Sequence, residues 1–181
     1  MIRDLCVRDA SYIAANMRDA DLAEISCLWK HWDTRKLAIC AVEHSVPGMA
    51  WSVWLKGQPV AAYGFSYVSP FDPDHWQAWA FGTECFRRAV PVMTRHVNSI
   101  RDLIAAECRR LQVVTHTEHD LSHRWLESLG AEREGVLRAY GRNGEDFVVY
   151  AWVRTDEKEC GKAASHSRSS FPPSEARSGN R

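Results

Sequence analysis

The sequence lacks the features that would place the protein in a membrane, outside a cell or on nucleic acid. No apolar run approaches the roughly 18–20 residues that a membrane-spanning helix needs. The opening residues, Met-Ile-Arg-Asp, lack the apolar block of a secretory signal. The 23 basic and 23 acidic residues cancel, so no overall field attracts nucleic acid or an anionic membrane. We therefore expect a soluble protein with neither partner.

The sequence also lacks paired cysteines. The six cysteines, at positions 6, 27, 40, 85, 108 and 160, form no CxxC pair and stand in apolar surroundings. This spacing indicates reduced thiols rather than a disulfide framework or a zinc site. A reducing, cytoplasmic setting is the corresponding expectation.

What the sequence does contain is enough apolar side chain for one ordinary core. A chain of 181 residues with 45% hydrophobic content predicts a single domain. Positions 155–181 differ, because they are rich in serine, proline and charge, and Phe171 is their only large apolar residue. Such a segment buries too little surface to offset its ordering entropy. We expect a folded domain over residues 1–154 and a disordered tail over 155–181.

Hydrophobic periodicity and turn residues predict mixed helices and strands in the domain. The first half is predicted to begin with a strand over 2–8 and a helix capped by Ser11. Two further helices are predicted over 22–29 and 37–42, and Pro47-Gly48 is expected to end the second of them. A hairpin follows, with strands 50–55 and 59–68 around a turn at 56–58. The second half is predicted to contain a strand over 77–81, a long helix over 89–110, a strand over 111–117, a helix over 120–129 and closing strands over 131–137 and 147–153.

The helix after residue 117 has the clearest signal. Its apolar residues recur at helical spacing: Leu121, Trp125, Leu126 and Leu129. Asp120 is a candidate N-cap, and Gly130 supplies a left-handed stop. The helix is therefore predicted to pack one face against a sheet.

Four of the eight tryptophans stand in pairs three residues apart, Trp51 with Trp54 and Trp76 with Trp79. Because side chains alternate between the faces of a strand, each pair straddles the sheet. Only some of these rings can enter the core. The others either pack elsewhere or shape a substrate or partner surface.

The element order over residues 1 to about 154 resembles that of the GNAT acetyltransferase superfamily. The resemblance implies an α+β fold in α/β/α layers, with a mixed, mostly antiparallel sheet whose central strands splay apart. At a finer level, four segments resemble acetyltransferase-like proteins of tailed phages and prophages, including internal virion or assembly proteins of T7-like phages. These segments are Trp79-x-Phe-Gly-Thr-Glu-Cys, Met93-Thr-Arg, His-Arg-Trp-Leu-Glu-Ser-Leu-Gly ending at 130, and Tyr140-Gly-Arg-Asn-Gly-Glu-Asp-Phe-Val-Val-Tyr.

The resemblance implies acetyl-CoA as co-substrate, with no metal. In the family the fourth and fifth strands, here about 77–86 and 111–117, part around the pantetheine arm. The physical logic is that parted strands leave backbone N–H and C=O groups unpaired, and an amide-bearing arm can pair with them.

The cofactor site departs from the family pattern before the long helix. The family carries a glycine-rich loop there, whose backbone amides hold the pyrophosphate. This sequence instead has Cys85-Phe-Arg-Arg without glycine. Arg87 and Arg88 are candidate phosphate ligands, or else solvated charges. The main chain near Cys85 or Phe86 is the candidate donor to the thioester carbonyl.

The helix over 120–129 departs as well, because it lacks the tyrosine that protonates the departing thiolate in the family. Alignment on Gly130 puts Leu126 at that position, with Trp125 beside it. His119 would face the pantetheine. Tyr140 on the following hairpin is a candidate substitute acid, or else an amphipathic packing residue.

Acetyl transfer to an amine needs a base for the ammonium. Glu84 at the end of the fourth strand is the first candidate, and His116 at the end of the fifth is the second. Each is otherwise read as an ordinary polar residue at a strand end.

His116, His119 and His123 invite a metal interpretation, which we do not favour. Only His119 and His123 share a helical face, and the order of a zinc protease motif is absent. We expect no metal site.

Two functions fit these observations. The first is a phage-type N-acyltransferase that moves an acetyl group from acetyl-CoA to an amine, with a host or phage protein as one possible acceptor. The second is a catalytically inert phage protein that keeps the fold for assembly or host interaction. Either would act in the host cytoplasm or with the virion, as a monomer or homodimer.

Overall fold

The computed structural model describes residues 1–31 and 33–154, which fold into one seven-stranded sheet with helices on both faces. The predicted tail over 155–181 lies outside the described residues, as does Cys160. The strands are β1 Ile2–Asp4, β2 Ser45–Leu55, β3 Gln58–Ser69, β4 Asp72–Gly82, β5 Arg110–His116, β6 Glu132–Leu137 and β7 Phe147–Val153. The helices are α1 Val7–Ala15, α2 Asp19–Leu28, α3 Thr34–Glu43, α4 Phe86–Ser99, α5 Arg101–Glu107 and α6 Asp120–Ser128.

The sheet has the strand order β1-β2-β3-β4-β5-β7-β6. All neighbouring strands run antiparallel except β4 and β5, which are parallel. The predicted mixed, mostly antiparallel sheet is therefore confirmed. The parallel pair lies at its centre.

Helices cover the sheet in two layers, as predicted. On one face, α1 and α3 pack against a cluster that includes Ala62 and Phe81. On the other face, α4 and α5 pack against a cluster that includes Val53, Phe65 and Trp76. Helix α6 lies over the β5–β7 half of this second face, where Leu126 meets buried residues of β7.

The hairpin and the tryptophan pairs follow the sequence prediction. Lys56 and Gly57 both have positive φ, 48° and 81°, which is the two-residue turn that matches the twist of paired strands. Trp51 and Trp76 are buried against α4. Trp79 packs on the opposite face with α1 and α3. Trp54 also lies apart from the α4 core, where its Nε1 donates to Asp9 at 3.1 Å.

The predicted boundaries near the N-terminus were wrong. Strand β1 ends at Asp4, and α1 already begins at Val7 with Cys6 as its N-cap, so Ser11 lies inside the helix. The helix starts early because Ala10, Ile13 and Ala14 form a buried stripe.

Pro47-Gly48 does not end α3, which stops at Glu43. Both residues lie in β2, in the irregular stretch between Ser45 and Ala50 where no register pairs form with β3. A proline is tolerated there because its missing N–H removes no ladder bond.

The single long helix predicted over 89–110 is two helices. Helix α4 begins three residues earlier, at Phe86, and the chain breaks at Ile100 before α5. At the break, Ser99 Oγ donates to the His96 carbonyl at 2.7 Å, a local bond that competes with helix continuation. Strand β4 accordingly ends at Gly82 rather than 86.

The helix over 120–129 is confirmed, with one correction at its start. Its N-cap is His119, and Asp120 is the first helical residue. Gly130 has φ 81°, the left-handed stop that the sequence predicted. In the part of the chain that the structure describes, no helix combines the length and apolarity needed to cross a membrane.

Candidate active site

The central strands β4 and β5 part after only three paired positions. Their parallel register covers His75 with Arg110 through Gln77 with Gln112. Strand β4 then continues to Gly82 along β3, while β5 continues to His116 along β7. Each strand thus follows its outer neighbour, and a gap opens between residues 78–82 and 113–116. The predicted splay is confirmed.

The gap exposes unpaired backbone groups on the β4 side. At the end of β4, the Gly82 N–H donates to Asp21 and the Gly82 carbonyl accepts from the Arg18 N–H, so both groups point away from β3. Alternate residues of an antiparallel strand point their backbone groups the same way. The N–H and C=O of Ala80 therefore face the gap.

The β5 side has the same arrangement. The His116 N–H donates to the carboxylate of Glu24 at 3.2 Å, away from β7. By the same alternation, the backbone groups of Val114 face the gap. Ala80 and Val114 thus present donors and acceptors to each other across a space that neither strand fills.

Helix α2 crosses the open end of the gap and caps both strands. Asp21 accepts from Gly82 on β4 at 2.8 Å, and Glu24, one turn later, accepts from His116 on β5. Asp21 is 5% exposed and forms an ion pair with Arg18 at 2.7 Å. Residues three apart on a helix share a face, so these two carboxylates suit the two diverging strand ends.

A cavity of about 600 Å³ passes through the gap and reaches both faces of the sheet. On the α3 face its wall includes Ile25, Leu28, Leu37, Cys40, Trp79 and Val114. On the α4 face its wall includes Tyr63, Phe86, Ile104, Val113, Ser122 and Trp125. This volume lies in the ordinary range for a small-molecule site.

A hydrogen-bonded group of side chains stands at the β5 end of the cavity. One carboxylate oxygen of Glu24 accepts from His119 Nδ1 at 2.9 Å and from Thr115 Oγ1 at 3.0 Å. Ser122 Oγ lies 3.1 Å from the same ring nitrogen. Because a carboxylate only accepts, Nδ1 of His119 carries a proton there, so Nε2 is the nitrogen that holds the lone pair whenever the ring is neutral. No protein group within residues 1–31 and 33–154 bonds Nε2.

The α4 side of the cavity contains an uncharged tyrosine–histidine pair, and two arginines of the α5 region, Arg101 and Arg154, also line its wall. Tyr63 Oη and His96 Nδ1 lie 2.7 Å apart. Burial raises the pKa of Tyr63 and lowers the pKa of His96, so both are uncharged at neutral pH. Burial likewise raises the pKa of Cys108, which therefore remains a thiol.

Three of the predicted cofactor residues line the cavity: Phe86, His119 and Trp125. Trp125 Nε1 donates to Thr94 on α4 at 2.9 Å, and its ring meets Phe86 edge-on. The other three do not line it. Cys85 is the N-cap of α4, while Arg87 and Arg88 are exposed in its first turn.

The three predicted catalytic residues lie outside the cavity wall, and their roles stay predictions. Glu84 is exposed in the turn between β4 and α4. The His116 ring accepts from the Glu118 N–H and packs on Phe147. Tyr140 is 49% exposed and packs on the same phenylalanine.

The three histidines of the 116–123 segment have separate partners. His119 bonds Glu24, whereas His123 Nε2 donates to the Thr117 carbonyl at 3.1 Å. Over the described residues, no three histidine, cysteine or carboxylate groups converge as metal ligands.

Sequence reasoning missed Glu24, the residue that links α2 to β5 and α6. Its partners lie 91 to 95 residues away, so no local spacing reports them. One signal was available, because Asp21, Glu24 and Leu28 recur at helical spacing beside the predicted apolar stripe. Carboxylates next to a buried stripe indicate that they accept hydrogen bonds from another part of the same chain.

Comparison with known proteins identifies the fold. No family model and no curated protein sequence matches this chain. Solved structures do match it. A ribosomal-protein-alanine N-acetyltransferase from Brucella melitensis has a TM-score of 0.68 at 15% identity, over 84% of this chain and 99% of its own.

Two further structures agree. An N-acetyltransferase from Staphylococcus aureus Mu50 has a TM-score of 0.65 at 15% identity, over 86% of this chain and 98% of its own. The Salmonella typhimurium protein yncA, solved with acetyl-CoA, has a TM-score of 0.68 at 14% identity, over 91% of this chain and 98% of its own. The chain therefore has the GNAT acyltransferase fold, as its sequence predicted.

Proposed function

We propose that the protein is an acyl-CoA-dependent N-acyltransferase that moves an acetyl or other acyl group to an amine. The observation that carries this proposal is the gap between β4 and β5, where unpaired backbone groups line a cavity of about 600 Å³. An extended amide-bearing arm fits there because it can bond the backbones of both Ala80 and Val114. Bound acyl-CoA supplies the acyl group as an activated thioester.

The chain's own groups suit the transfer. The Ala80 N–H faces the gap and can polarise the thioester carbonyl. Once the ammonium has lost one proton to solvent, the free amine can attack the carbonyl carbon, and His119 Nε2 can take a second proton from the nitrogen as that bond forms. When the carbon–sulfur bond breaks, the same ring can return that proton to the leaving sulfur. Glu24 is a positioning residue, since its bond to Nδ1 fixes the tautomer that leaves Nε2 basic.

We assign the base to His119 rather than Glu84 or His116, because only His119 lines the cavity. Tyr140 does not line the cavity either, and His119 already protonates the leaving sulfur, so no step needs Tyr140 as the acid. Arg87 and Arg88, in the first turn of α4, are the candidates for the cofactor's phosphates.

A catalytically inert protein with the same fold is the second candidate, and the region around the start of α4 favours it. The connection from β4 to α4 contains no glycine, and the Arg88 N–H is already bonded to the Cys85 carbonyl. The contacts of Trp125 with Phe86 and Thr94 also join α6 to α4 beside the cavity. Such a protein would keep the fold for assembly or host binding. A phage origin and a host or phage protein as acceptor stay predictions.

Calorimetric titration with acetyl-CoA tests the proposal. We expect saturable binding in the micromolar range. Ala80→Pro removes an N–H that faces the gap and not β3, so it should weaken binding at least about tenfold while the fold is retained, as monitored by circular dichroism.

The matched control is Ala80→Val, because valine is similar in size to proline but keeps the backbone N–H. This variant should bind acetyl-CoA like the unaltered protein. Silence at millimolar acetyl-CoA would overturn the proposal and favour the inert candidate. Equal binding by both variants would refute the role of Ala80.

A further inference from the structure

We propose that the amine acceptor is a small primary amine on an aromatic or aliphatic body, bound in the α3-face half of the cavity. We call this half the acceptor pocket and define it by Ile25, Leu28, Leu37, Cys40, Trp79 and Val114. The inference rests on the proposed function, because it names the substrate class of the same site.

The side chains of the acceptor pocket are apolar. Helix α2 contributes Ile25 and Leu28, α3 contributes Leu37 and Cys40, and the sheet contributes Trp79 and Val114. Trp79 stacks on Phe81 with ring planes 23° apart, which presents a flat aromatic wall. Such a wall favours an aromatic or aliphatic body over a hydrated one.

Negative charge is confined to one end of the cavity. Among the described residues, Asp21 and Glu24 are the only carboxylates in its wall. Asp21 is already paired with Arg18 and bonded to the Gly82 N–H. Glu24 also accepts hydrogen bonds, but among the described residues its only ionisable partner is His119, so its charge can compensate a single ammonium group there.

The polar groups of the acceptor-pocket side provide no second counter-charge. Ser66 Oγ bonds the Gln77 carbonyl, and Gln77 Oε1 accepts from Gln112. His44, at the end of α3, carries no negative charge in either protonation state. A second ammonium group on the acceptor would therefore be buried without a partner, which is strongly unfavourable.

The pocket opens to solvent at the C-terminal end of α2. Leu28 and Trp29 both line the cavity and are partly exposed. A small amine can thus enter from the α2 side, while the α4 side remains for the cofactor arm. The reacting nitrogen then reaches the gap beside His119.

The test compares amines at saturating acetyl-CoA by the rate of free thiol release. Tryptamine and phenethylamine carry one ammonium on an aromatic body, whereas spermidine carries several charges on a flexible chain. We expect kcat/KM for the two aromatic amines to exceed that for spermidine at least about tenfold, which is a difference of about 1.4 kcal/mol.

A charge placed in the pocket wall should reverse this preference. Leu28→Asp supplies the missing counter-charge, so it should lower kcat/KM for tryptamine and raise it for spermidine, each about tenfold. Leu22→Asp is the matched control, because Leu22 is 37% exposed on the same helix, as against 36% for Leu28, and does not line the cavity. It should leave both rates unchanged.

The outcomes separate this inference from the proposed function. Acetyl-CoA binding together with a preference for aromatic amines supports both. If acetyl-CoA binds but spermidine is preferred, or none of the three amines releases thiol, the acceptor inference is overturned and the proposed function stands on its own test. If acetyl-CoA does not bind, both fall.

Discussion

At the scale of single residues, Glu24 connects the parts of the site. It bonds the side chain of His119, the side chain of Thr115 and the backbone of His116. A carboxylate that receives three donors holds its neighbours in one geometry. Neutralising Glu24 should therefore disturb catalysis more than folding, since an amide oxygen can still accept from Thr115 and His116.

We predict that Glu24→Gln lowers kcat for thiol release while leaving the acetyl-CoA dissociation constant unchanged. The reason is that a neutral amide oxygen accepts from Nδ1 of His119 more weakly than a carboxylate does, so it stabilises the ring less when Nε2 takes a proton. His119→Ala should lower kcat by about 10²–10⁴, the usual contribution of a general base, and Glu24→Gln by a smaller factor. Steady-state kinetics with calorimetry separates the two effects.

Asp19→Asn, on the exposed start of the same helix, is the control and should have unaltered kinetics. A Glu24→Gln protein with an unchanged kcat would contradict the positioning role. Loss of acetyl-CoA binding in that variant would indicate a structural role instead.

At the scale of elements, β2, β3 and β4 pack closely around one glycine. Gly64 on β3 lies where β2 and β4 approach. A Cβ at this position would stand 2.6 Å from the Met49 carbonyl oxygen and 2.8 Å from Cζ2 of Trp79. The Ala50 Cα would stand 2.9 Å away as well, so two of the three contacts are backbone atoms of β2, and only the half-buried indole could shift. Glycine is needed here for space, not for an unusual φ.

We predict that Gly64→Ala destabilises the protein by about 1–3 kcal/mol, the usual cost of overpacking. Gly135→Ala on β6 is the matched control, because a Cβ there meets no atom within 4 Å. It should be neutral or stabilise by up to about 1 kcal/mol through the unfolded state. Urea unfolding of both variants measures the difference, and equal midpoints would refute the packing argument.

Helix α2 has a comparable role at the open end of the sheet. Its two carboxylates occupy the last free backbone groups of β4 and β5. The strands are thus held apart without leaving their terminal N–H groups unpaired. The parted sheet can therefore be stable before any ligand binds. Only the backbone groups that face the cavity are left without a protein partner.

At the scale of the whole molecule, the gap divides the sheet into two halves. β1 to β4 form one half, and β5 to β7 form the other, joined by three register pairs and by the helices. A ligand that bonds both edges should therefore stabilise the native state by linking the halves.

We predict that acetyl-CoA at 100 times its dissociation constant stabilises the folded protein by about 2.7 kcal/mol. For a chain of this size the midpoint of thermal unfolding should rise by about 5–10 °C. At the same molar concentration, adenosine 3′,5′-bisphosphate, which lacks the pantetheine arm, should give a much smaller shift. Equal shifts from both ligands would show that the gap contributes nothing to binding.

Local signals in the sequence predicted several elements correctly. Lys56-Gly57 specified a hairpin turn, Gly130 ended α6, and β7 matched its β-rich run. The N-terminal boundaries, the break at Ile100 and the place of Pro47 were wrong or missed. At those positions buried contacts and side-chain hydrogen bonds outweighed local propensity, so no reading of neighbouring residues alone could settle them.

The sequence by itself determined the α+β class, the sheet's hairpin and α6, and, through family resemblance, a parted pair of central strands. Only the tertiary structure decided which groups meet at that gap. Glu24 and His119 are 95 residues apart in the chain and 2.9 Å apart in space. Contacts of this kind depend on how α2 crosses the strand ends, and that crossing is fixed by packing over the whole sheet, which local spacing does not encode.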